Sequence, residues 1–131
     1  MPRLIERSTT LLVGEDELRA LELDPDGASL LSDTTSTVVV KRGSAGAEIV
    51  AHDERFTQQV RPVRVVDAVG AGDAFAAGWI SASLLDLDRR RSALLASIVA
   101  SLVVATPGDV VGFPTRTELD TIAENGRDVV R

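Results

Sequence analysis

A chain of 131 residues is long enough for one modest domain and too short for two. Hydrophobic residues make up 44% and aromatic ones only 3%, so the core must be assembled from Val, Leu, Ile and Ala. With 14 basic against 20 acidic residues and a net charge of −6, the chain is a poor candidate for nucleic acids or anionic membranes, which demand clustered cations, and having no cysteine it can form neither disulfides nor thiolate sites.

The opening MPRLIERSTT is charged and has no apolar core of the kind a signal peptide needs. No apolar run reaches the roughly 18 residues of a membrane span, and the longest, Ala93–Thr106, is interrupted by Ser97 and Ser101. A soluble cytoplasmic protein is the expectation.

Thr10–Val13 is a short apolar run broken by Gly14. Glu15–Leu23 then carries Leu18 and Leu21 at helical spacing, with acids in the first turn where the helix dipole favours them. Asp24-Pro-Asp-Gly27 is turn chemistry. Thr35–Lys41 is β-branched and predicts a buried strand, and Ala47–Ala51 is its expected hairpin partner across Arg42–Gly46. Val60–Val66 alternates like another strand, with Pro62 marking an edge or an end. A helix is predicted over Ala71–Leu85 and a second over Arg89–Ala105, with Asp86-Leu-Asp88 as capping chemistry between them. The run Arg89-Arg90-Arg91 fits a solvated helix start, and less readily a phosphate contact. A final amphipathic helix is expected over Arg116–Asn125, capped by Thr115 and stopped by Gly126. His52 is expected at the surface and Trp79 in the packing. The order β-α-β-β-β-α-α-α predicts an α/β fold with few strands for three helices.

The stretch Asp67-Ala-Val-Gly-Ala-Gly-Asp-Ala-Phe-Ala-Ala-Gly78 concentrates the chemistry. Gly70, Ala71 and Gly72 let the backbone approach a ligand closely. If a helix starts there, its free N–H groups and positive dipole end make a concavity for an anion. Asp73 at that mouth would repel the anion, but it can accept a proton from a hydroxyl that attacks it. That pairing is the logic of phosphoryl transfer. A bare GAGD also fits a plain strand-to-helix turn; two aspartates and three glycines in register favour the chemical reading.

DAVGAGDAFAAGW resembles the C-terminal signature of the ribokinase (PfkB) family of carbohydrate kinases, D-T-x-G-A-G-D-x-F-x-x-G, departing from it at Ala68 where Thr, Ser or Pro is usual. The resemblance implies a partial ribokinase-like, Rossmann-type α/β/α sandwich. It also implies that Asp73 is the base for the sugar hydroxyl and that Gly70, Ala71 and Gly72 form the anion hole. Asp67 and the Val69 carbonyl would help hold a monovalent cation such as K+. Val38–Ala47 resembles the family's strand-turn-strand beside the nucleotide, where Gly43, Ser44 and Gly46 would lie along ATP and Lys41 would reach a phosphate; a hairpin turn fits GSAG equally. Gly14-Glu-Asp-Glu17 stands where the family carries N-x-x-E, whose Glu orients Mg2+-bound water. Glu17 keeps the acid, Gly14 replaces the Asn, and an acidic helix start is an equal contender. Ser97 and Gly108 fall where the family borders the adenine. Asp73 is expected to face a cleft shared with the 41–46 turn.

The resemblance runs from about Thr10 to the end, whereas family members are well over twice this length. Residues 1–131 are thus expected to be the C-terminal nucleotide-binding and catalytic portion, without the N-terminal substrate and lid portion. The closing PGDVVGFPTRTEL most resembles kinases of 2-keto-3-deoxygluconate and related sugar acids. One face of the remaining sheet is expected to be exposed and to seek a complementary chain or a second copy. Two other roles stay open: a non-catalytic remnant that acts only with a partner, and a nucleotide-binding module without transfer.

Overall fold

The computed structural model describes residues 5–108 and 112–129, and the chain divides into two compact units, Met1–Gln59 and Val60–Arg131. The fold is α/β, as the sequence predicts.

The first unit is a four-stranded mixed sheet in the order β1 (Thr10–Gly14), β2 (Thr37–Lys41), β3 (Ala47–Ala51), β4 (Arg55–Gln58). β1 runs parallel to β2, while β2–β3 and β3–β4 are antiparallel. Helix α1 (Glu15–Ala20) follows β1 directly, and its one buried residue, Leu18, packs with Val38 and Val40. The helix is shorter than the expected Glu15–Leu23. Glu22 turns left-handed at φ 55°, and the Leu23 N–H donates back to Leu18 O at 3.0 Å, closing the end with a Schellman-type bond.

The predicted strand over Val60–Val66 does not form, and β4 lies earlier. Pro62 has no N–H to give a ladder, and Val65 and Val66 are 59% and 52% exposed. β4 was hidden because it is a polar edge strand whose one large apolar residue is Phe56. The expectation of an exposed sheet face is also corrected: Val38 and Val40 on one face and Val39 and Ile49 on the other are fully buried. What the sheet leaves open are its two edges, the outer side of the apolar β1 and that of the polar β4.

The second unit comprises α2 (Ala71–Leu84), α3 (Arg89–Val104) and α4 (Arg116–Val129). Its core joins Ala74 and Ala82 of α2 to Leu95, Val99 and Val103 of α3, with Leu119 and Ile122 of α4 against them. Gly78 makes the close crossing feasible, since a Cβ there would stand 2.7 Å from the Ala96 Cα. Asp86 ends α2 in the left-handed region, and Asp88 caps α3 by accepting the Arg91 N–H at 2.9 Å. Thr115 caps α4 reciprocally with Glu118, whose Oε2 accepts the Thr115 N–H at 2.7 Å. That cap lowers the Glu118 pKa from its ordinary 4.5. Gly126 does not stop this helix, because a helical glycine costs only about 1 kcal/mol against Ala. Trp79 is buried and His52 exposed, as expected.

Candidate active site

The loop before α2 is tied at both ends. The N–H groups of Val66 and Asp67 both donate to Val104 O, at 2.7 and 3.2 Å, which satisfies a carbonyl that the last turn of α3 leaves free. Asp67 Oδ1 then accepts the Val69 N–H at 2.9 Å, a side-chain-closed turn that aims the chain into the helix. Gly70 is the N-cap residue at φ 80°, a conformation that would strain any side chain.

No side chain caps α2. Ala71 N–H makes a long bond of 3.4 Å to Ala68 O, and the first α-helical bond runs from Ala74 N to Gly70 O at 2.8 Å. The N–H groups of Gly70, Gly72 and Asp73 have no acceptor among the described residues. Gly72 and Asp73 are exposed, so these donors face solvent at the positive end of a 14-residue helix. Ala74, buried one residue on, fixes the rotation of the helix that leaves Asp73 outward. The structure thus brings together Asp67, Val69, Gly70, Ala71, Gly72 and Asp73.

The second group lies in the sheet unit. Lys41 ends β2, and residues Gly43–Ala45 form one 3-10 turn closed by Arg42 N to Gly46 O at 2.8 Å. Gly46, at φ 91°, cannot bear a Cβ, which would stand 2.1 Å from Gln58 O. At Gly43, φ 54°, a Cβ would meet open space, and Gly43 and Ser44 are exposed. The two groups belong to different compact units.

Glu17 is exposed and its Oε2 accepts the Gly14 N–H at 2.6 Å, so its carboxylate serves as the cap of α1, with no partner for its other oxygen among the described residues. No group of three His, Cys, Asp or Glu side chains able to hold a metal occurs among the described residues. Mg2+ in phosphoryl transfer needs no such cage, since one or two carboxylates, waters and the phosphates suffice. Glu17 therefore fits a water-mediated contact. Ser97 is buried within α3, where its carbonyl accepts the Ser101 hydroxyl at 2.8 Å. Gly108 is exposed at φ 86°, immediately before residues 109–111, which lie outside the described residues together with that part of the closing PGDVVGFPTRTEL. No helix among the described residues is long and apolar enough to cross a membrane.

The sequence reading missed an ion network on the sheet. Glu48 is held by Arg42 and Arg55, and Arg55 also binds Asp26 at 3.0 Å. The hydrogen bonds from the Ala28 N–H and from Arg55 lower the Asp26 pKa from its ordinary 3.8, while Glu48 and Asp26 raise that of Arg55. The one signal available was a carboxylate at an inward position of an otherwise apolar strand, AEIVA.

The chain is 37% identical over 120 residues to the 2-dehydro-3-deoxygluconokinase of Bacillus subtilis, covering 89% of this chain and 37% of that protein. It is 32% identical over 121 residues to the 2-dehydro-3-deoxygalactonokinase of Haloferax volcanii, covering 82% of this chain and 38% of the other. The chain therefore spans little more than a third of the length of these relatives. Among solved structures, a nucleoside kinase of Methanocaldococcus jannaschii, of the ribokinase family, matches 93% of this chain with TM-score 0.78 at 26% identity, over 42% of its own length. A chain described as a ribokinase II from E. coli, solved with ATP and Mg2+, matches 93% with TM-score 0.80 at 29% identity, over 41% of its length. The model of the pfkB family carbohydrate kinases matches residues 1–116, and the chain belongs to that family.

Proposed function

We propose that this chain carries the phosphoryl-transfer portion of an ATP-dependent carbohydrate kinase whose acceptor is a hydroxyl of a sugar acid of the 2-keto-3-deoxygluconate class. The observation that carries this is the unpaired N–H set of Gly70, Gly72 and Asp73 beside the exposed Asp73 carboxylate. Those donors, with Ala71 between them, match the charge that spreads over a migrating phosphoryl group, and they are fixed before it arrives. Asp73 accepts the proton of the attacking hydroxyl, which makes the oxygen nucleophilic as its bond to the γ-phosphorus of ATP forms and the bond from that phosphorus to the ADP oxygen breaks, releasing ADP. Two relatives that act on 2-dehydro-3-deoxy sugar acids support the acceptor class.

ATP is read onto the turn of Gly43, Ser44 and Gly46, with Lys41 toward a phosphate and Ser97 and Gly108 toward the base. Mg2+, when bound, supplies charge neutralisation on the phosphates, and Glu17 would hold one of its waters. The Asp67 carboxylate and the Val69 carbonyl would hold a monovalent cation. The open edge of β1, whose Leu11, Leu12 and Val13 carry no charge or proline to block pairing, is read as where a further strand of the kinase adds.

The test is ADP release on a panel of sugar acids, sugars and nucleosides, with the chain joined to the N-terminal portion of the Bacillus subtilis relative. Asp73→Asn should lower kcat by about 10²- to 10⁴-fold. Because Asp73 is exposed, its unfolding midpoint should stay unchanged. Equal turnover in the variant removes Asp73 from the mechanism. Tight ATP binding without turnover on any acceptor turns the assignment into a nucleotide-binding module, and no binding with lost tertiary packing turns it into a remnant.

A further inference from the structure

Glu48 stands on β3 opposite Val40 and Thr57, so its side chain shares the sheet face of Val38 and Val40 that Leu18 closes. A lone carboxylate on such a face is costly. This one, 11% exposed, is gripped on both oxygens: Arg42 Nη2 lies 2.5 Å from Oε2, and Arg55 Nη2 and Nε lie 2.5 and 2.6 Å from Oε1. Each guanidinium reaches further. Arg42 donates to Pro25 O at 3.2 Å and has its Nε 4.0 Å from Glu15 Oε1, while Arg55 donates to Asp26 Oδ2 at 3.0 Å. Glu48 is thus the hub through which β3, β4 and the 24–27 loop hold Arg42.

Arg42 is the root of the Gly43–Ala45 turn. Its N–H donates to Gly46 O at 2.8 Å, and its carbonyl accepts the Ala45 N–H at 3.0 Å. At the tip, the N–H groups of Gly43 and Ser44 have no acceptor among the described residues. A well-packed apolar residue at position 48 would serve stability as well as an ion cluster does. A carboxylate adds direction, because a guanidinium fork bonds in fixed geometry.

We propose that Glu48 is a positioning residue for nucleotide binding: by fixing Arg42 it holds the two free amides of Gly43 and Ser44 in the orientation that receives ATP. This rests on the reading of the chain as the ATP-binding portion of a kinase. An ordered turn binds more tightly because its ordering is not charged against association.

The experiment compares wild type, Glu48→Gln and Val39→Ala in the full 131-residue chain, by residue-resolved amide exchange and by titration with MgATP. Val39 is buried on the opposite sheet face and serves as a destabilised control. In Glu48→Gln the Arg42, Ala45 and Gly46 amides should lose about tenfold more protection than the rest of the sheet, whereas Val39→Ala should speed exchange evenly. MgATP should bind Glu48→Gln about 3- to 10-fold more weakly and Val39→Ala as wild type does. Unchanged turn protection in Glu48→Gln, or a loosened turn with undiminished MgATP affinity, overturns the proposal while leaving the kinase reading intact. A wild-type chain that binds no MgATP overturns the kinase reading and the nucleotide role together, even if the turn loosens. Should Glu48→Gln fail to fold, Arg42→Gln removes only the arm that reaches the turn and is read by the same two measurements.

Discussion

Two glycine-bearing turns leave backbone amides free in this chain, and they are built by opposite means. The Gly43–Ala45 turn hangs from a charged root, with Arg42 bonded to Glu48, and is closed by its own backbone from Arg42 N to Gly46 O. The Asp67–Gly70 turn has no ion pair in its frame among the described residues: Asp67 closes it onto Val69, and Val104 O anchors it from the end of a neighbouring helix. Both leave amides unpaired and both use glycine at positive φ. The first turn is clamped by side chains that reach across the sheet; the second is set by the helix it begins. Damage to the first should therefore spread through the sheet unit, and damage to the second should stay near the chemistry.

The largest effect on folding is expected from Gly46→Ala. The new Cβ would meet Gln58 O at 2.1 Å at φ 91°, so β4 must separate from the turn. Strain and overpacking together predict a loss of about 3 kcal/mol or more by urea unfolding. Gly70→Ala, also at positive φ, should cost about 1–2 kcal/mol. If the two substitutions cost the same, the contrast between a clamped turn and a helix-borne one is wrong.

The sequence made the second turn easier to read than the first. Every requirement of the Asp67–Asp73 loop is local: glycines for the turn, an aspartate two residues before the amide it holds, and an apolar run for the helix. The β2–β3 hairpin was equally visible, because TVVVK and AEIVA are buried at nearly every position. What holds its turn was not visible. Arg55 lies seven residues beyond Glu48, and Asp26 lies 29 residues before Arg55, so only the folded sheet brings them together. For the same reason Val60–Val66 misled. Its alternation is real, but a strand needs a neighbour to pair with, and Arg55–Gln58 is the segment that β3 pairs with.

A smaller effect separates the loop-closing role of Asp67 from its proposed part in holding a cation. Asp67→Ala removes the acceptor for the Val69 N–H and should cost about 0.5–1.5 kcal/mol. Asp67→Asn keeps a carbonyl acceptor and should leave the unfolding midpoint unchanged, while the monovalent-cation dependence of turnover in the completed enzyme disappears. Cation dependence that survives in Asp67→Asn would leave this side chain a purely structural part of the loop.

The smallest expected effect tests the clamped turn from its outer rim. Asp26 sits at the far end of the ion network, with its pKa held below 3.8 first by the Ala28 N–H and then by Arg55. The folded chain therefore gives up this proton more readily than the unfolded chain does. The stability it contributes is complete above the ordinary carboxylate value and is lost as pH falls through the lower, folded one. Asp26 is exposed to solvent screening, so the contribution is small. Measured by urea midpoint from about pH 6 down to about pH 2.5, the advantage of wild type over Asp26→Asn should be constant at first and then shrink toward the acid end. An advantage that does not change with pH would mean that neither the Ala28 N–H nor Arg55 favours the charged carboxylate, and the network would then end at Arg55.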